Sequence, residues 1–244
     1  MTLSAKLDRL HTLAKQNKWL RYFSVFIRIA LAAGFIPSGI VKILGERFAG
    51  GLSVNHPMGH FLEALHHTGY YYTFIGIVQI IAAILLLIPR TVTLGAVLYF
   101  PIILNICILS FALRFEGSLL SSPLMVLADL YLLCWNYDKL KFILPFNHPS
   151  TFNTLTKEKT FSNKFPIIFF TGVVATLILL VLLVSYAINP KPRNSLNDCN
   201  NQFEGTARTK AGCDFCDCIH KYGEPLDSCL NKYKTARDDT FKTP

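Results

Sequence analysis

The sequence predicts an all-α membrane protein with five transmembrane helices and a small disulfide-bearing helical tail. Hydrophobic residues make up 52% of the chain and charged residues only 16%, where soluble domains average about 25% charged residues. The apolar residues form five long runs, each close to the roughly 20 residues that cross a bilayer as a helix. Five of the seven cysteines follow the last of these runs.

The five runs predict the spans in chain order. The fourth run is short and carries Asp129, whereas the fifth has no charged residue. Arg28 interrupts the first run and no small-residue cleavage site follows it, so we expect an uncleaved anchor rather than a signal peptide. The predicted spans are Phe23–Leu44, Tyr70–Ile88, Val92–Leu113, Leu119–Trp135 and Pro166–Ile188.

Lysine and arginine in the short loops predict the orientation, because these residues are enriched on the cytoplasmic side. They are frequent in the N-terminal arm (residues 1–22) and in the linker (144–164), and Arg90 follows the second run. The loops on the other side carry one arginine each. We therefore expect a bacterial inner-membrane protein with a cytoplasmic N-terminus. The fifth span (165–188) then places the tail (189–244) in the periplasm.

The basic residues also indicate a partner. Apolar residues recur at helical spacing in the N-terminal arm, at Leu3, Leu7, Leu10 and Ala14. This spacing predicts a basic amphipathic helix on the membrane surface; a frayed basic tail is the alternative. The net charge of +9 is spread over the flanks of the apolar runs and forms no single patch. This pattern indicates the lipid bilayer, and not nucleic acid, as the partner.

Two of the predicted spans resemble those of a known family. The pattern consists of Arg28, Gly34, Phe35, Gly39 and Lys42 in the first span, and of Gly76, Gln79 and Arg90 in the second. It resembles the DoxX-like integral membrane proteins over about residues 23–143, although Gln79 stands where an acidic residue is common. The resemblance implies a four-helix transmembrane bundle and, from some members, quinone-linked or thiol chemistry. It does not extend to the fifth span or the tail.

Polar side chains inside the spans need partners, because the bilayer offers none. Arg28 and Asp129 lie at matching depths, so we hypothesise an ion pair between spans one and four. Lys42 is close enough to the opposite surface to snorkel. Gln79 and Asn105 lie near the midplane and could hydrogen-bond between spans two and three. Bundle cohesion is the simplest role for these residues, and a quinone or small-substrate pocket is the alternative.

Two features bear on metals and haem. His60, Glu63 and His67, between spans one and two, share a helix face at a spacing that could hold zinc or iron. The simpler interpretation is an amphipathic surface helix whose histidines face water, so we expect no metal there. No histidine lies inside a predicted span, so we expect no haem held between spans.

The tail has few large apolar residues and needs covalent staples to fold. Its disulfide candidates are Cys199, Cys213, Cys216, Cys218 and Cys229. Outside the cytoplasm, structural disulfides are the expected state; two bridges leave one thiol unpaired, and the connectivity stays open. The alternatives are an exchanging Cys213-x-x-Cys216 pair and a metal site of Cys213, Cys216, Cys218 and His220. Gly223 predicts a turn between helices over Cys216–Tyr222 and Leu226–Arg237.

These observations favour a subunit of a membrane redox or thiol-handling assembly of DoxX-like character. The candidate redox pair is Cys213 and Cys216, and a quinone is the candidate cofactor. The alternative is a non-enzymatic assembly subunit whose tail docks a partner complex. In either case the expected partners are other membrane or periplasmic proteins. The sequence does not decide whether the chain is itself an enzyme.

Overall fold

The structure, a computed structural model, describes residues 11–140 and 161–237. The described residues form eleven helices, besides the helical residues 11–16 of the arm, and no β-strand, which confirms the all-α fold class. Five helical segments are long and apolar enough to cross a membrane, as predicted. They are Lys18–Ile43, Tyr70–Leu87, Val92–Ala112, Glu116–Trp135 and Ile167–Ala187, called spans one to five below.

The ends of the spans reflect local capping. Span one begins at Lys18 rather than Phe23 because the Asn17 side chain accepts hydrogen bonds from the backbone N–H groups of Trp19 and Leu20. This is a typical helix N-cap. Span four is interrupted at Leu120, between helices Glu116–Leu119 and Ser121–Trp135. Pro123 accounts for the break, since it has no N–H to donate to the carbonyl of Leu119.

Spans one to four form the predicted bundle. Span one packs against spans two and four, and span three packs against spans two and four, so the four helices close on themselves. The core combines small residues with stacked rings, and the Phe35 and Tyr99 centroids lie 3.7 Å apart. Its fully buried alanines are Ala82, Ala83 and Ala96. Small residues let membrane helices approach closely, since lipid supplies no hydrophobic force between them.

Two glycines set the closest approach of spans one and two. A Cβ added at Gly76 would lie 2.7 Å from the carbonyl oxygen of Gly39, and a Cβ added at Gly39 would lie 2.9 Å from that of Gly76. The Gly76 position also faces the Cβ of Lys42 at 2.8 Å. No larger residue fits at either position without separating the two helices.

Span five lies outside the bundle. Val184 is its one buried residue, and Ile168 is 90% exposed. Its contacts are aromatic at one end, where Phe169 and Phe170 touch Phe23. At the other end Val184 clusters with Leu119. Most of this span is therefore exposed on the outside of the bundle.

Two smaller units lie at the end of the bundle that carries the tail, called the tail end below. The outer loop (residues 44–69) contains the helix Pro57–His66. The tail contains helices Leu196–Asn201, Thr209–His220 and Leu226–Thr235. The predicted first tail helix, Cys216–Tyr222, begins earlier, at Thr209. The predicted turn is present, since Gly223 has a φ of 62°.

The opposite end of the bundle, called the basic end below, carries the N-terminal arm and the linker. Residues 11–16 of the arm are helical, while the leucines predicted to form its apolar face at positions 3, 7 and 10 lie outside the described residues. The linker is described only from residue 161. Ser162 pairs with the backbone of Asn17 in an isolated parallel bridge.

We predict that Gly76→Ala destabilises the bundle by about 1–3 kcal/mol, because the new methyl group overlaps the Gly39 backbone. Gly172→Ala in span five is the matched control, since a Cβ there meets nothing within 4 Å. Thermal unfolding of both purified variants in mild detergent measures the difference. Equal melting temperatures for Gly76→Ala and Gly172→Ala would show that the packing of spans one and two does not depend on the Gly39–Gly76 contact.

Candidate functional site

The predicted ion pair between Arg28 and Asp129 is wrong. The Arg28 guanidinium donates to the carbonyl oxygens of Leu86 and Leu87, at 2.7 Å each. These carbonyls belong to the last turn of span two, where helices leave acceptors unpaired and where positive charge is stabilised. The carbonyl groups at the end of span two therefore bind Arg28, where the carboxylate of Asp129 was expected.

Asp129 lies in the bundle core and is 0% exposed. Neither of its carboxyl oxygens has a hydrogen-bond partner, and the nearby Tyr99 hydroxyl donates instead to the Leu31 carbonyl at 3.2 Å. A buried polar group without a partner costs free energy relative to water. Asp129 therefore lowers the stability of the bundle, which makes it a candidate functional residue.

Lys42 does not snorkel to the surface as predicted, because it is only 6% exposed. Its ammonium donates to the carbonyl oxygen and the hydroxyl of Ser38, at 2.9 and 2.7 Å. The rings of Phe48 and Tyr72 cover it, with centroids 4.6 and 5.9 Å from Nζ. Aromatic faces attract a desolvated cation, so Phe48 of the outer loop and Tyr72 of span two hold Lys42 inside the bundle.

Gln79 and Asn105 do not bond to each other. Gln79 is buried and accepts a hydrogen bond from the Ser38 hydroxyl at 3.3 Å, which extends the Lys42–Ser38 chain to span two. Asn105 is exposed on the surface of span three. The predicted polar link therefore joins spans one and two, and not spans two and three.

The predicted metal candidates of the outer loop do not converge. His60 is exposed, whereas Glu63 pairs with Arg47 at 2.8 Å and lies 3.6 Å from Nδ1 of His67. Within residues 11–140 and 161–237, one group of three possible ligands comes together, formed by Cys218, Glu224 and Cys229. Its two sulfurs are joined in a disulfide, so they are not available as thiolates for a metal.

The disulfides predicted for the tail are confirmed. Cys199 bonds to Cys216, and Cys218 bonds to Cys229. All four cysteines are buried in the tail core around Phe215 and Ile219. The alternative metal site of Cys213, Cys216, Cys218 and His220 is wrong because two of its thiols are oxidised, and the His220 ring contacts the Pro192 carbonyl at 2.6 Å.

Cys213 remains free and is half-buried. It is not bonded to Cys216, its partner in the alternative of an exchanging pair, although both lie on helix Thr209–His220. A separation of three residues places the two side chains on neighbouring positions of one helix face. The structure therefore puts one accessible thiol a single helical turn from a buried disulfide.

The tail is attached to the bundle through residues that sequence reasoning did not single out. Arg114 donates to the Pro190 carbonyl at 2.8 Å, and Glu116 lies 3.0 Å from Arg193 and 3.7 Å from Lys191. The sequence did contain a signal. Arg114 and Glu116 are charged residues in a short turn on the side predicted for the tail.

A histidine pair lies where the tail meets the outer loop. The Asn55 side chain donates to the His220 carbonyl at 2.8 Å. The ring of His56 is 1% exposed and lies 6.2 Å from the ring of His220. Burial, followed by the electrostatic interaction with the nearby His220, lowers the pKa of His56 to about 4. His56 Nδ1 also accepts from the Met58 N–H and so caps the loop helix.

Three surface cavities open near the ends of the bundle. One of about 310 Å³ lies at the basic end, beside Arg21 and Trp135. Two others, of about 330 and 230 Å³, share Glu116 beneath the tail. None of these three is lined by Arg28, Lys42, Gln79, Asn105 or Asp129. Of the intramembrane polar residues, Lys42, Gln79 and Asp129 are buried in the packed interior, and Asn105 is exposed.

We predict opposite effects for two leucine substitutions. Gln79→Leu removes the partner of Ser38 and destabilises the protein by about 1 kcal/mol. Asn105→Leu replaces an exposed carboxamide in the span and stabilises it by roughly 1 kcal/mol. Thermal unfolding of the purified variants provides the comparison. If Asn105→Leu instead lowers the melting temperature, Asn105 makes a polar contact with another molecule, which the isolated chain does not show.

We also predict that the junction of loop and tail weakens in acid. Because the pKa of folded His56 is below the usual 6.5, the junction is fully stable above about pH 6.5. It loses roughly 3 kcal/mol as the pH falls to about 4, since only the unfolded form takes up the proton readily. Limited proteolysis between pH 7 and 4 measures the loss. His56→Asn keeps a capping side chain and should flatten this dependence.

Comparison with known proteins gives one informative match. No protein-family model matches the chain, and no solved structure matches it at a significant level. The uncharacterized protein YwoB of Bacillus subtilis (strain 168) is 37% identical over 121 residues, which cover 48% of this chain and 77% of YwoB. The DoxX-like resemblance stays a prediction. The extent of the match to YwoB shows that the chain belongs to the same family as that protein.

Proposed function

We propose that the chain is a membrane subunit of a redox or thiol-handling assembly, in which the tail exchanges disulfides through Cys213. One observation supports this proposal above the others. Cys213 is a free thiol on the same helix as Cys216, whose sulfur is already in a disulfide. The bundle would hold this module at the membrane, in line with the thiol chemistry that the DoxX-like resemblance implies.

Access to the tail disulfide supports the role of Cys213. Cys199 and Cys216 are both 0% exposed, so an external thiol cannot approach their sulfurs directly. Cys213 is half-buried, and its position one turn before Cys216 gives it a path to that disulfide. Thiol–disulfide exchange requires a thiolate that reaches one sulfur of the bridge. Cys213 is the tail cysteine placed to connect the bridge with a partner protein.

The exchange needs no added oxidant. The Cys213 thiolate attacks the Cys216 sulfur, a Cys213–Cys216 bond forms, and Cys199 leaves as a thiolate that takes up the proton Cys213 gave to water. A partner thiolate then attacks Cys213, and Cys216 leaves. The partner's second thiol resolves the mixed disulfide, so the partner dithiol is oxidised and the tail gains two electrons. A quinone of the bilayer is the acceptor that the resemblance implies for these electrons.

A second candidate function rests on a different observation. The tail is fixed to the bundle by the Arg114–Pro190 and Glu116–Arg193 contacts, and two buried disulfides hold its core. Such a module presents a fixed surface without any chemistry, as an assembly subunit requires. In that case Cys213 is a bystander thiol and the disulfides never change partners.

The two functions predict different results for Cys213→Ser. If the tail exchanges disulfides, purified wild-type protein oxidises a model dithiol peptide, and Cys213→Ser slows this by about tenfold or more. Non-reducing peptide mapping of the wild type should also show a Cys213–Cys216 link with an alkylated Cys199. Cys107→Ser, which removes a free cysteine of span three, is the control and leaves the rate unchanged.

Equal rates for wild type and Cys213→Ser, with Cys199–Cys216 intact in both, would contradict the exchange. That outcome would favour the assembly subunit. Its positive test is copurification of partner proteins from membranes with wild-type protein but not with a Glu116→Arg variant, in which the fixed surface is lost.

A further inference from the structure

The chain segments that form the cavity at the basic end are hydrogen-bonded to one another. The cavity is lined by Lys15, Gln16, Arg21, Trp135 and Phe161. The linker forms one wall through backbone hydrogen bonds from Lys18 to Ser162 at 3.2 Å and from Ser162 to Gln16 at 3.0 Å. On the other side, Nε2 of His11 lies at hydrogen-bonding distance, 3.0 Å, from the carbonyl oxygen of Trp135.

The charges around this cavity are mostly positive. Lys15 is paired with Asp138 at 2.8 Å, but Arg21 pairs with no carboxylate among the described residues. Its guanidinium instead lies 5.4 Å from the centre of the Phe161 ring. Asp138 is the one acidic residue at this end within the described ranges. The basic residues there are Lys15, Lys18, Arg21, Arg90, Lys139 and Lys164.

The cavity lies at the depth of lipid headgroups. Lys18 begins span one and Trp135 ends span four, so the lining residues stand at the border between the apolar bundle and water. Trp135 and Phe161 give the cavity an aromatic surface, and Trp19 packs on Phe165 nearby, with centroids 5.3 Å apart. Aromatic residues are enriched at this level of the bilayer.

We propose that this cavity binds the headgroup phosphate of an anionic phospholipid. Arg21 offers the forked donor that matches two phosphate oxygens, and the aromatic rings contact the glycerol and upper acyl carbons. Basic pockets between spans are typical sites for anionic headgroups. The apolar lining favours a lipid over a soluble phosphate, and the proposal does not depend on the thiol chemistry of the tail.

Native mass spectrometry of the full-length protein in mild detergent tests the proposal. Phosphatidylglycerol is added to one sample and phosphatidylcholine with the same acyl chains to another. We expect stronger retention of phosphatidylglycerol, because the basic residues of this end repel the choline ammonium although both lipids carry the phosphate. In Arg21→Gln we expect a loss of affinity of about tenfold or more, since a charge-assisted hydrogen bond is removed. Arg90→Gln is the matched control, because Arg90 is exposed at the same end and does not line the cavity.

Three results would overturn the site. Phosphatidylcholine could bind as well as phosphatidylglycerol, Arg90→Gln could weaken binding as much as Arg21→Gln, or glycerol 3-phosphate could displace the lipid at equal concentration. If Arg21→Gln does not fold, Arg21→Lys replaces it. That variant keeps the charge but loses the forked geometry, so it should bind more weakly than wild type while Arg90→Lys should not.

Discussion

The backbone contact between Gly39 and Gly76 is the constraint on which the tail end of the molecule depends. It brings spans one and two so close that Lys42 is enclosed between them. The enclosed ammonium attracts the rings of Phe48 and Tyr72, and the Tyr72 hydroxyl bonds to the backbone of the outer loop at Glu46 and Phe48. The ordered loop in turn places Asn55 and His56 next to His220 of the tail. A helix contact inside the membrane thus shapes a surface outside the bundle.

The two ends of the bundle differ in how they are held. At the tail end, the chain is fixed by specific polar contacts and disulfides, which suits chemistry or recognition outside the bilayer. At the basic end, Arg21, the paired Lys15 and two aromatic rings surround a cavity at the membrane border. In between, Asp129 stands without a hydrogen-bond partner. Specific polar contacts therefore hold the tail end, while Asp129 is a destabilising group within the bundle core.

Much of the fold follows from simple patterns in the sequence. Spans two, three and five end within a residue or two of their predicted bounds, because apolar runs and bilayer thickness fix helix length. The need for disulfides in the tail follows from its small core. Span one starts earlier than expected because a single capping residue, Asn17, extends it beyond its apolar run.

The site was less predictable for physical reasons. Depth along a span can be counted, but rotation about the helix axis depends on neighbouring helices, and this is why Arg28 bonds to span two and not to Asp129. Lys42 was expected at the surface because its depth along span one does not show that Phe48 of the outer loop and Tyr72 of span two fold over it. The pairing of Cys199 with Cys216 likewise depends on how three short helices pack, which spacing alone does not show.

Span five has a consequence for how the protein can vary. Since almost none of its side chains is buried against the bundle, nearly any apolar helix of the same length would serve in its place. Spans one and two allow no such freedom, because a single added methyl group at Gly76 collides with the neighbouring backbone. We therefore expect homologous chains to diverge freely along Ile167–Ala187 while they retain small residues where spans one and two meet. Tolerance to substitution in this protein should follow helix contact, and not distance from the membrane surface.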